Sequence, residues 1–309
     1  MTSTLREAVR EAVRALTDAG IDSAEADAVA LAASALKTTT SEVHKLMIMG
    51  SPAPDGLDDL VAARARREPL QHLTGKAGFR RVELSVGPGV FVPRFETEFV
   101  AGLAISHLIH RSRQFARDTP TDLGGLSGES HGSRQSPRNV VVVDLCTGSG
   151  AIALAIKDEV PAAQVHGVEL SDLAHAWAIR NRDDLGLDVD IRLGDATLAF
   201  PDLEAGADVV VSNPPYIPVG AVPNDPEVRD HDPEVALYGG SSDGLRIPLE
   251  VATRAAVLLR PGGFLVMEHA DVQGVSLPAA LRATGLWQDI QDHEDLNGRP
   301  RAVTAVRAG

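Results

Sequence analysis

The chain of 309 residues has a single cysteine, Cys146, and only 4% aromatic residues. One cysteine excludes an intrachain disulfide and fits a reducing compartment, so we expect a cytoplasmic location. No apolar run approaches the ~18 residues of a membrane-spanning helix. The segment after Met1 also lacks the apolar stretch of a signal peptide. We therefore expect no membrane partner.

Positive charge is scarce as well. The chain has 29 Lys and Arg against 43 Asp and Glu, which gives a net charge of -14. An acidic surface repels the phosphate backbone, so no direct nucleic-acid partner is expected. The hydrophobic share of 44% is typical of a globular protein with a sizeable core. The length suits one large domain plus a small one.

Two patterns divide the chain before residue 94. Apolar residues recur at helical spacing in the first part, which predicts a small helical domain over residues 1–78. Apolar and polar residues then alternate from Phe79 to Val86, and Val90 to Val92 follow a Gly-Pro-Gly turn. This alternation predicts an inter-domain β-hairpin over residues 79–93.

Residues 94–309 are predicted to form the large domain. A helix is expected from Glu96 to His110, followed by a mobile insertion of about residues 112–138 that is rich in Ser, Gly and Pro. Beyond Asn139, unbroken apolar runs alternate with helical stretches, and such runs mark strands buried on both faces. The pattern predicts a doubly wound α/β sheet. Its predicted strands include residues 140–143, 164–168, 209–212, 263–267 and 301–306.

The loop of residues 144–150 joins the first buried strand to a helix. Gly148 to Ala153 fit the dinucleotide pattern G-x-G-x-x-A, which is weak by itself. Asp144 places a carboxylate beside this loop, which disfavours a pyrophosphate and suits the sulfonium of S-adenosylmethionine. No His lies near Cys146 in sequence, so we expect this cysteine to be inert.

Acidic residues follow the next two strands. Glu169 ends the second strand and can accept hydrogen bonds from two ribose hydroxyls. Asp195 follows a further strand, the third along the chain, which ends before Gly194. It could accept from an adenine amino group, although Gly-Asp is also common in ordinary turns. Ligands of open α/β sheets bind beyond the carboxyl ends of the strands, so Gly148, Glu169, Asp195 and Asn213 should converge there. No spacing typical of a metal site is found.

Asn213-Pro214-Pro215-Tyr216 follows a buried strand. The prolines have fixed φ and no N–H, and they keep the preceding residues extended. The side-chain oxygen of Asn213 and the Pro214 carbonyl can then accept both hydrogens of one NH2 group, while Tyr216 lies against the planar group that carries it. This arrangement predicts methyl transfer to an amide or aniline-like nitrogen, achieved by positioning rather than proton abstraction. Asn213, Pro214 and Tyr216 are predicted to be catalytic, and all four residues to bind substrate.

These motifs together resemble the protein-(glutamine-N5) methyltransferases, the PrmC/HemK family that modifies peptide-chain release factors. The resemblance covers nearly the whole chain. It is carried by residues 69–75, 88–98, 144–150, 213–216, 243–245 and 297–301.

The resemblance implies a class I, Rossmann-like, seven-stranded methyltransferase domain and a helical N-terminal domain that helps to dock a release factor. It also implies S-adenosyl-L-methionine as cofactor, S-adenosyl-L-homocysteine as product, and a target glutamine held by residues 213–216. Pattern and resemblance together predict the cofactor-binding residues Asp144, Cys146, Thr147, Gly148, Ser149, Gly150, Glu169, Asp195, Ala196 and Asn213.

Some positions depart from the family. Phe95 stands where a second proline is usual, Glu169 where Asp is common, and Ala196 where some members have an aromatic residue. None of these departures touches the clamp of residues 213–216. The expected activity is methylation of the glutamine in the Gly-Gly-Gln motif of release factors. The alternatives are a ribosomal-protein glutamine, an exocyclic amine of adenine or cytosine in DNA, a non-catalytic adaptor and a nicotinamide oxidoreductase.

Overall fold

The computed structural model describes residues 3–118 and 139–309. The chain divides into two compact units. The helical unit comprises Met1–Ala77, Ser85–Val92 and Val222–Asp232, and the sheet unit comprises Gly78–Leu84, Pro93–Ala221 and Pro233–Gly309. Within the described residues, no helix has the length and apolar character needed to cross a membrane.

The helical unit packs around its own apolar core. Its first helix begins with a capping box, in which Thr4 and Glu7 satisfy each other's backbone N–H groups. Leu5, Leu16 and Leu31 are fully buried in the core; each such leucine contributes about 1.5–3 kcal/mol. The helices are α1 (Leu5–Asp18), α2 (Ala24–Leu36), α3 (Thr40–Met49), α4 (Leu57–Ala65), α5 (Leu70–Thr74) and, later in the chain, α9 (Pro226–His231).

The predicted hairpin over residues 79–93 is wrong in position. The two-stranded sheet pairs β1 (Lys76–Phe79) with β2 (Val82–Ser85). The chain reverses at Arg80, which has a left-handed φ of 52°, while Pro88 has no N–H to donate to a ladder. Beyond Ser85, the Val86 N–H still donates to the Gly75 carbonyl at 3.2 Å. Val90 and Val92 are buried but lie outside both strands.

Helix α6 (Phe95–Asp118) is longer than the predicted helix from Glu96 to His110. Residues 111–118 contain neither Gly nor Pro, so nothing in their composition ends the helix. The predicted insertion of about residues 112–138 therefore starts within α6. Its residues 119–138 lie outside the described part of the chain.

A seven-stranded sheet with the order β5-β4-β3-β6-β7-β9-β8 forms the sheet unit. The first five strands in this order are parallel, and β9 runs antiparallel to β7 and β8. This topology confirms the predicted Rossmann-like fold. The strands are β3 (Val141–Leu145), β4 (Gln164–Glu169), β5 (Val189–Leu193), β6 (Ala207–Ser212), β7 (Leu259–Glu268), β8 (Trp287–Glu294) and β9 (Pro300–Arg307). The remaining helices are α7 (Ala151–Glu159), α8 (Asp172–Leu185), α10 (Arg246–Leu258) and α11 (Ser276–Ala283).

Strand β3, which lies between β4 and β6, determines where a ligand can bind. Its last residue, Leu145, pairs with Val168 of β4 on one side and Ser212 of β6 on the other. All six residues of β6 are buried, which agrees with its apolar sequence. Because these strands are parallel, the loops that follow β3, β4 and β6 leave the sheet at the same edge.

Candidate active site

The loop after β3 is held in shape by hydrogen bonds within the protein. The Thr147 N–H donates to the Val168 carbonyl at 2.9 Å, and the Gly150 N–H donates to the Thr147 carbonyl at 2.9 Å. The side chain of Asn181, which is 1% exposed, donates to the Ser149 carbonyl at 2.9 Å. The loop conformation is therefore fixed by β4 and α8.

Asp144 lies inside the protein and is 0% exposed. Its Oδ2 accepts from the Thr147 hydroxyl at 2.6 Å and from the Ala153 N–H at 3.1 Å. Burial raises the pKa of Asp144 to about 7, although both hydrogen bonds act to lower it. The carboxylate thus connects the loop to the first turn of α7.

Cys146 is not suited to act as a nucleophile. Burial raises the pKa of its thiol, and the nearby Glu169 and Asp144 raise it further, so the thiol stays protonated at neutral pH. This agrees with the expectation that Cys146 is inert. Its backbone has a left-handed φ of 67°, as part of the tight turn that leads to Gly148.

Glu169 joins the ends of β3 and β4. Its Oε2 accepts from the Gly148 N–H at 2.8 Å, and its Oε1 accepts from the Ser171 N–H at 2.8 Å. Burial raises the pKa of Glu169 against these hydrogen bonds. Each carboxylate oxygen can accept more than one hydrogen bond, so Oε1 and Oε2 of Glu169 can still accept from two hydroxyl groups.

The two residues predicted after β5 have different surroundings. Asp195 is exposed, and its Oδ1 accepts from both the N–H and the hydroxyl of Thr197 at 2.8 Å. Ala196 is 8% exposed and packs in the core with Val168 and Phe200. Asp195 thus makes the hydrogen bonds of an ordinary Gly-Asp turn. Ala196 has no ring that could stack on a ligand.

The clamp residues lie directly after β6. Pro214 and Pro215 are buried, whereas Asn213 is partly exposed. The Asn213 Nδ2 donates to the Thr97 hydroxyl at 3.2 Å. In the part of the chain that the structure describes, this is the one hydrogen bond of the Asn213 side chain, so Oδ1 is available as an acceptor.

Two buried side chains hold Tyr216. Its hydroxyl donates to Oε1 of Glu268 at 3.0 Å. Burial raises the pKa of Tyr216, and the Glu268 charge adds to this effect. The Tyr216 carbonyl accepts from Nε2 of Gln273 at 3.0 Å. Glu268 and Gln273 are each 2% exposed, so the ring and the backbone of Tyr216 are fixed from inside the protein.

Thr97, Glu268 and Gln273 were missed as site residues. Glu268 ends β7, the strand next to β6, and the strand-end argument applied to Glu169 would have found it. Thr97 lies in the 88–98 segment but follows no strand.

The predicted residues share one edge of the sheet. Glu169 contacts Gly148 directly, and the Gly194 N–H donates to the Glu169 carbonyl at 2.8 Å, which brings Asp195 to the same edge. Asn213 follows β6, the neighbour of β3 on the opposite side. A seven-stranded α/β sheet with a glycine-containing loop and an acidic residue at consecutive strand ends defines a class I methyltransferase domain.

Comparison with known proteins identifies the family. The chain matches two family models. One is described as the PrmC N-terminal domain and matches residues 7–75, and the other is described as the methyltransferase small domain and matches residues 133–223. It is 46% identical over 306 residues to a release factor glutamine methyltransferase of Streptomyces coelicolor, with 97% of each chain covered. It is 40% identical over 308 residues to one of Mycolicibacterium smegmatis, with 98% of each covered. The chain therefore belongs to the release factor glutamine methyltransferase family.

A further relative carries a different name. It is the 4-amino-L-phenylalanine/4-methylamino-L-phenylalanine methyltransferase of Streptomyces pristinaespiralis, 39% identical over 306 residues, with 98% of this chain and 95% of the relative covered.

Proposed function

We propose that the protein transfers a methyl group from S-adenosylmethionine to the side-chain amide nitrogen, N5, of the glutamine in the Gly-Gly-Gln motif of peptide-chain release factors. The carrying observation is the Asn213 side chain, whose Nδ2 is bound to Thr97 while Oδ1 is available to a substrate N–H. The names of the Streptomyces coelicolor and Mycolicibacterium smegmatis relatives support this substrate.

The loop after β3 suits S-adenosylmethionine, which when bound supplies an electrophilic methyl group on its sulfonium. A Cβ at Gly148 would meet no atom of the described residues within 4 Å apart from its chain neighbours, so there is open space beside the loop. Glu169 supplies two acceptor oxygens for a ribose. The residues proposed to hold or support the cofactor are Asp144, Cys146, Thr147, Gly148, Ser149, Gly150, Glu169, Asp195, Ala196 and Asn213.

The clamp is proposed to orient the glutamine amide. An amide nitrogen is a weak nucleophile because its lone pair is delocalised. Asn213 Oδ1 and the Pro214 carbonyl accept its two hydrogens, while Pro215 and Tyr216 complete the wall against its plane. The protein thereby aligns the nitrogen without removing a proton beforehand, and the proton can leave after transfer.

The helical unit is proposed to dock the release factor, and the cytoplasm remains the predicted location. A ribosomal-protein glutamine and a DNA base are not favoured by the names of the relatives at 38–46% identity. The relative named for 4-amino-L-phenylalanine makes this small amine a useful competitor in the assay, because an aniline nitrogen poses the same positioning problem.

Mass spectrometry of a recombinant release factor after incubation with enzyme and S-adenosylmethionine tests the proposal. We expect one added methyl on the Gly-Gly-Gln glutamine. Parallel incubations contain plasmid DNA, ribosomal protein and 4-amino-L-phenylalanine. Methyl transfer to any of these with an unmodified release factor would contradict the substrate assignment.

Asn213→Ala tests the mechanism. Loss of a positioned hydrogen-bonding group should lower kcat about 10²–10³-fold. Binding of S-adenosylhomocysteine, measured by titration calorimetry, should stay within a few-fold of the wild type. The same titration with NAD serves as a control, since tight NAD binding would instead support an oxidoreductase. Turnover near the wild-type rate would exclude the clamp mechanism.

A further inference from the structure

Four side chains of the sheet unit lie behind the clamp in two hydrogen-bonded pairs, which a contact between Thr97 and Glu268 would join into one chain. Asn213 Nδ2 donates to Thr97 at 3.2 Å, and the Tyr216 hydroxyl donates to Glu268 Oε1 at 3.0 Å. Thr97 and Glu268 are 4% and 2% exposed. Among the described residues, Oε2 of Glu268 has no partner of full hydrogen-bond geometry. It is thus the acceptor toward which the Thr97 hydroxyl can turn, and Thr97 acts to lower the pKa of Glu268.

The direction of hydrogen bonding along this chain follows from Glu268. An ionised carboxylate is acceptor-only, so a Thr97 hydroxyl that turns toward it must donate its single hydrogen there. Thr97 can then only accept from Asn213, which turns Nδ2 of the amide toward Thr97. The opposite end of the amide, Oδ1, is left for the substrate. A flipped amide would place an NH2 group against the substrate NH2, and two donors cannot bond to each other.

We propose that Glu268 is a positioning residue that sets the amide orientation of Asn213 through Thr97, so that the clamp presents an acceptor to the substrate nitrogen. This inference rests on the proposed function, because it concerns the same methyl transfer. It assigns Glu268 no contact with the substrate or the cofactor.

The ionisation of Glu268 should therefore affect the rate. Burial, the largest effect, raises the pKa of Glu268 to about 7, although contacts with Thr97 and Tyr216 and the charge of Arg301 act to lower it. The charge of Glu96 adds to the rise. A protonated Glu268 can donate to Thr97 and reverse the chain. We expect kcat of the wild type to fall on the acid side of neutrality for this reason, with the active form being the carboxylate.

Glu268→Gln mimics the protonated state at every pH. It should lower kcat by up to about 10²-fold, the cost of misplacing a positioned group by ~1 Å. It should also remove the acid limb of the pH profile of kcat, and S-adenosylhomocysteine affinity should not change. Thr97→Val should lower kcat to a similar extent, and Thr97→Ser should restore it because the hydroxyl returns. A purely structural role would leave the pH limb in place.

A double-mutant cycle shows whether Glu268 acts through Thr97. In the Thr97→Val background, Glu268→Gln should cost less than 2-fold in kcat, since the chain is already broken. In the Tyr216→Phe background it should keep its full effect. Full additivity with Thr97→Val, or an unchanged pH limb in Glu268→Gln, would overturn the inference. Failure of the proposed function would differ, because wild-type enzyme would then not methylate the release factor at all. If Glu268→Gln does not fold, the Val and Ser variants of Thr97 decide the question.

Discussion

Arg64 and Glu227 form a buried ion pair within the helical unit, with Nη1 and Oε1 2.7 Å apart, although 163 positions separate them in sequence. Arg64 Nε also contacts Asp27 Oδ2 at 2.7 Å, and Arg67 binds the second oxygen of Glu227 at 2.8 Å. Glu227 belongs to residues 222–232, which follow the clamp in the chain. The ion pairs therefore anchor this segment.

Arg64→Met should destabilise the protein strongly. The substitution leaves two buried carboxylates without their shared cation, which typically costs about 3–5 kcal/mol. Urea unfolding measures the loss. Arg14→Met is the matched control, because the Arg14–Glu11 pair is 73% and 68% exposed and should contribute only about 0–1 kcal/mol. Equal unfolding free energies for the two variants would contradict the prediction.

The same pair predicts acid sensitivity. Burial acts to raise the pKa of Glu227, but its contacts with Asp225, Arg64 and Arg67 outweigh burial and lower the pKa from 4.5 to about 2. A lowered pKa in the folded state contributes stability above the unfolded pKa, and this stability is lost as pH falls toward about 2. Glu227→Gln should flatten this part of the stability curve.

Gly244→Ala should disrupt the clamp. A Cβ at Gly244 would lie 2.1 Å from the Tyr216 carbonyl oxygen, so the backbone after the clamp would have to move. We expect kcat for the release factor to fall at least 10-fold. Gly262→Ala is the matched control, because Gly262 has a φ of 75°, close to the 72° of Gly244, but open space around its Cβ position. Equal losses of activity would show that backbone strain alone is responsible.

Structural features that depend on neighbouring residues in the sequence could be predicted, whereas features that depend on distant residues could not. Strands β3, β4 and β6 are apolar runs, and this composition predicts burial on both faces. β8 was missed because most of its residues are exposed or half-buried and polar, as expected of an edge strand. The hairpin was misplaced because Val90 and Val92 alternate like a strand and are buried, but lie outside both strands.

The site follows the same rule. Residues 144–150 and 213–216 are continuous segments whose conformation depends on Gly and Pro, so they could be predicted. The Asn213–Thr97 hydrogen bond joins residues 116 positions apart, and no local pattern encodes it. The same holds for Tyr216 and Glu268, which meet only because β7 pairs with β6. The contacts that support residues 213–216 were missed, and the role of these residues as a clamp stays a prediction.

Gly148→Ala should weaken cofactor binding more than it weakens the fold. The position has a φ of 58°, and a Cβ there would have no neighbour within 4 Å from elsewhere in the described part of the chain. The backbone strain therefore amounts to about 1–2 kcal/mol. Gly186→Ala has the same strain and openness, with a φ of 63°, but lies at the end of α8. Thermal unfolding should give similar losses for both. Calorimetry with S-adenosylhomocysteine should show at least a 10-fold loss for Gly148→Ala alone. Equal affinities would exclude a ligand beside Gly148.

Asp144→Asn tests whether this carboxylate favours a sulfonium. Burial raises the pKa of Asp144 from 3.8 to about 7, so its charge develops as pH rises through neutrality. The ratio of the affinity for S-adenosylmethionine to that for its product, which lacks the sulfonium charge, should therefore increase with pH in the wild type. The expected increase is roughly 10-fold for two charges about 12 Å apart at an effective dielectric constant of about 20. The ratio should be flat in Asp144→Asn, which can still accept from Thr147 and Ala153.

Stability provides the control for this variant. A raised pKa in the folded state stabilises the protein below the unfolded value of 3.8, and this contribution is lost as pH rises through about 7. Asp144→Asn should remove that loss. Its unfolding free energy, compared with that of the wild type at the same pH, should therefore increase between about pH 4 and pH 7. If the stability curve changes as described while the affinity ratio of the wild type stays flat, Asp144 serves only to hold the loop. In that case the preference for a sulfonium must come from the other groups at this edge of the sheet.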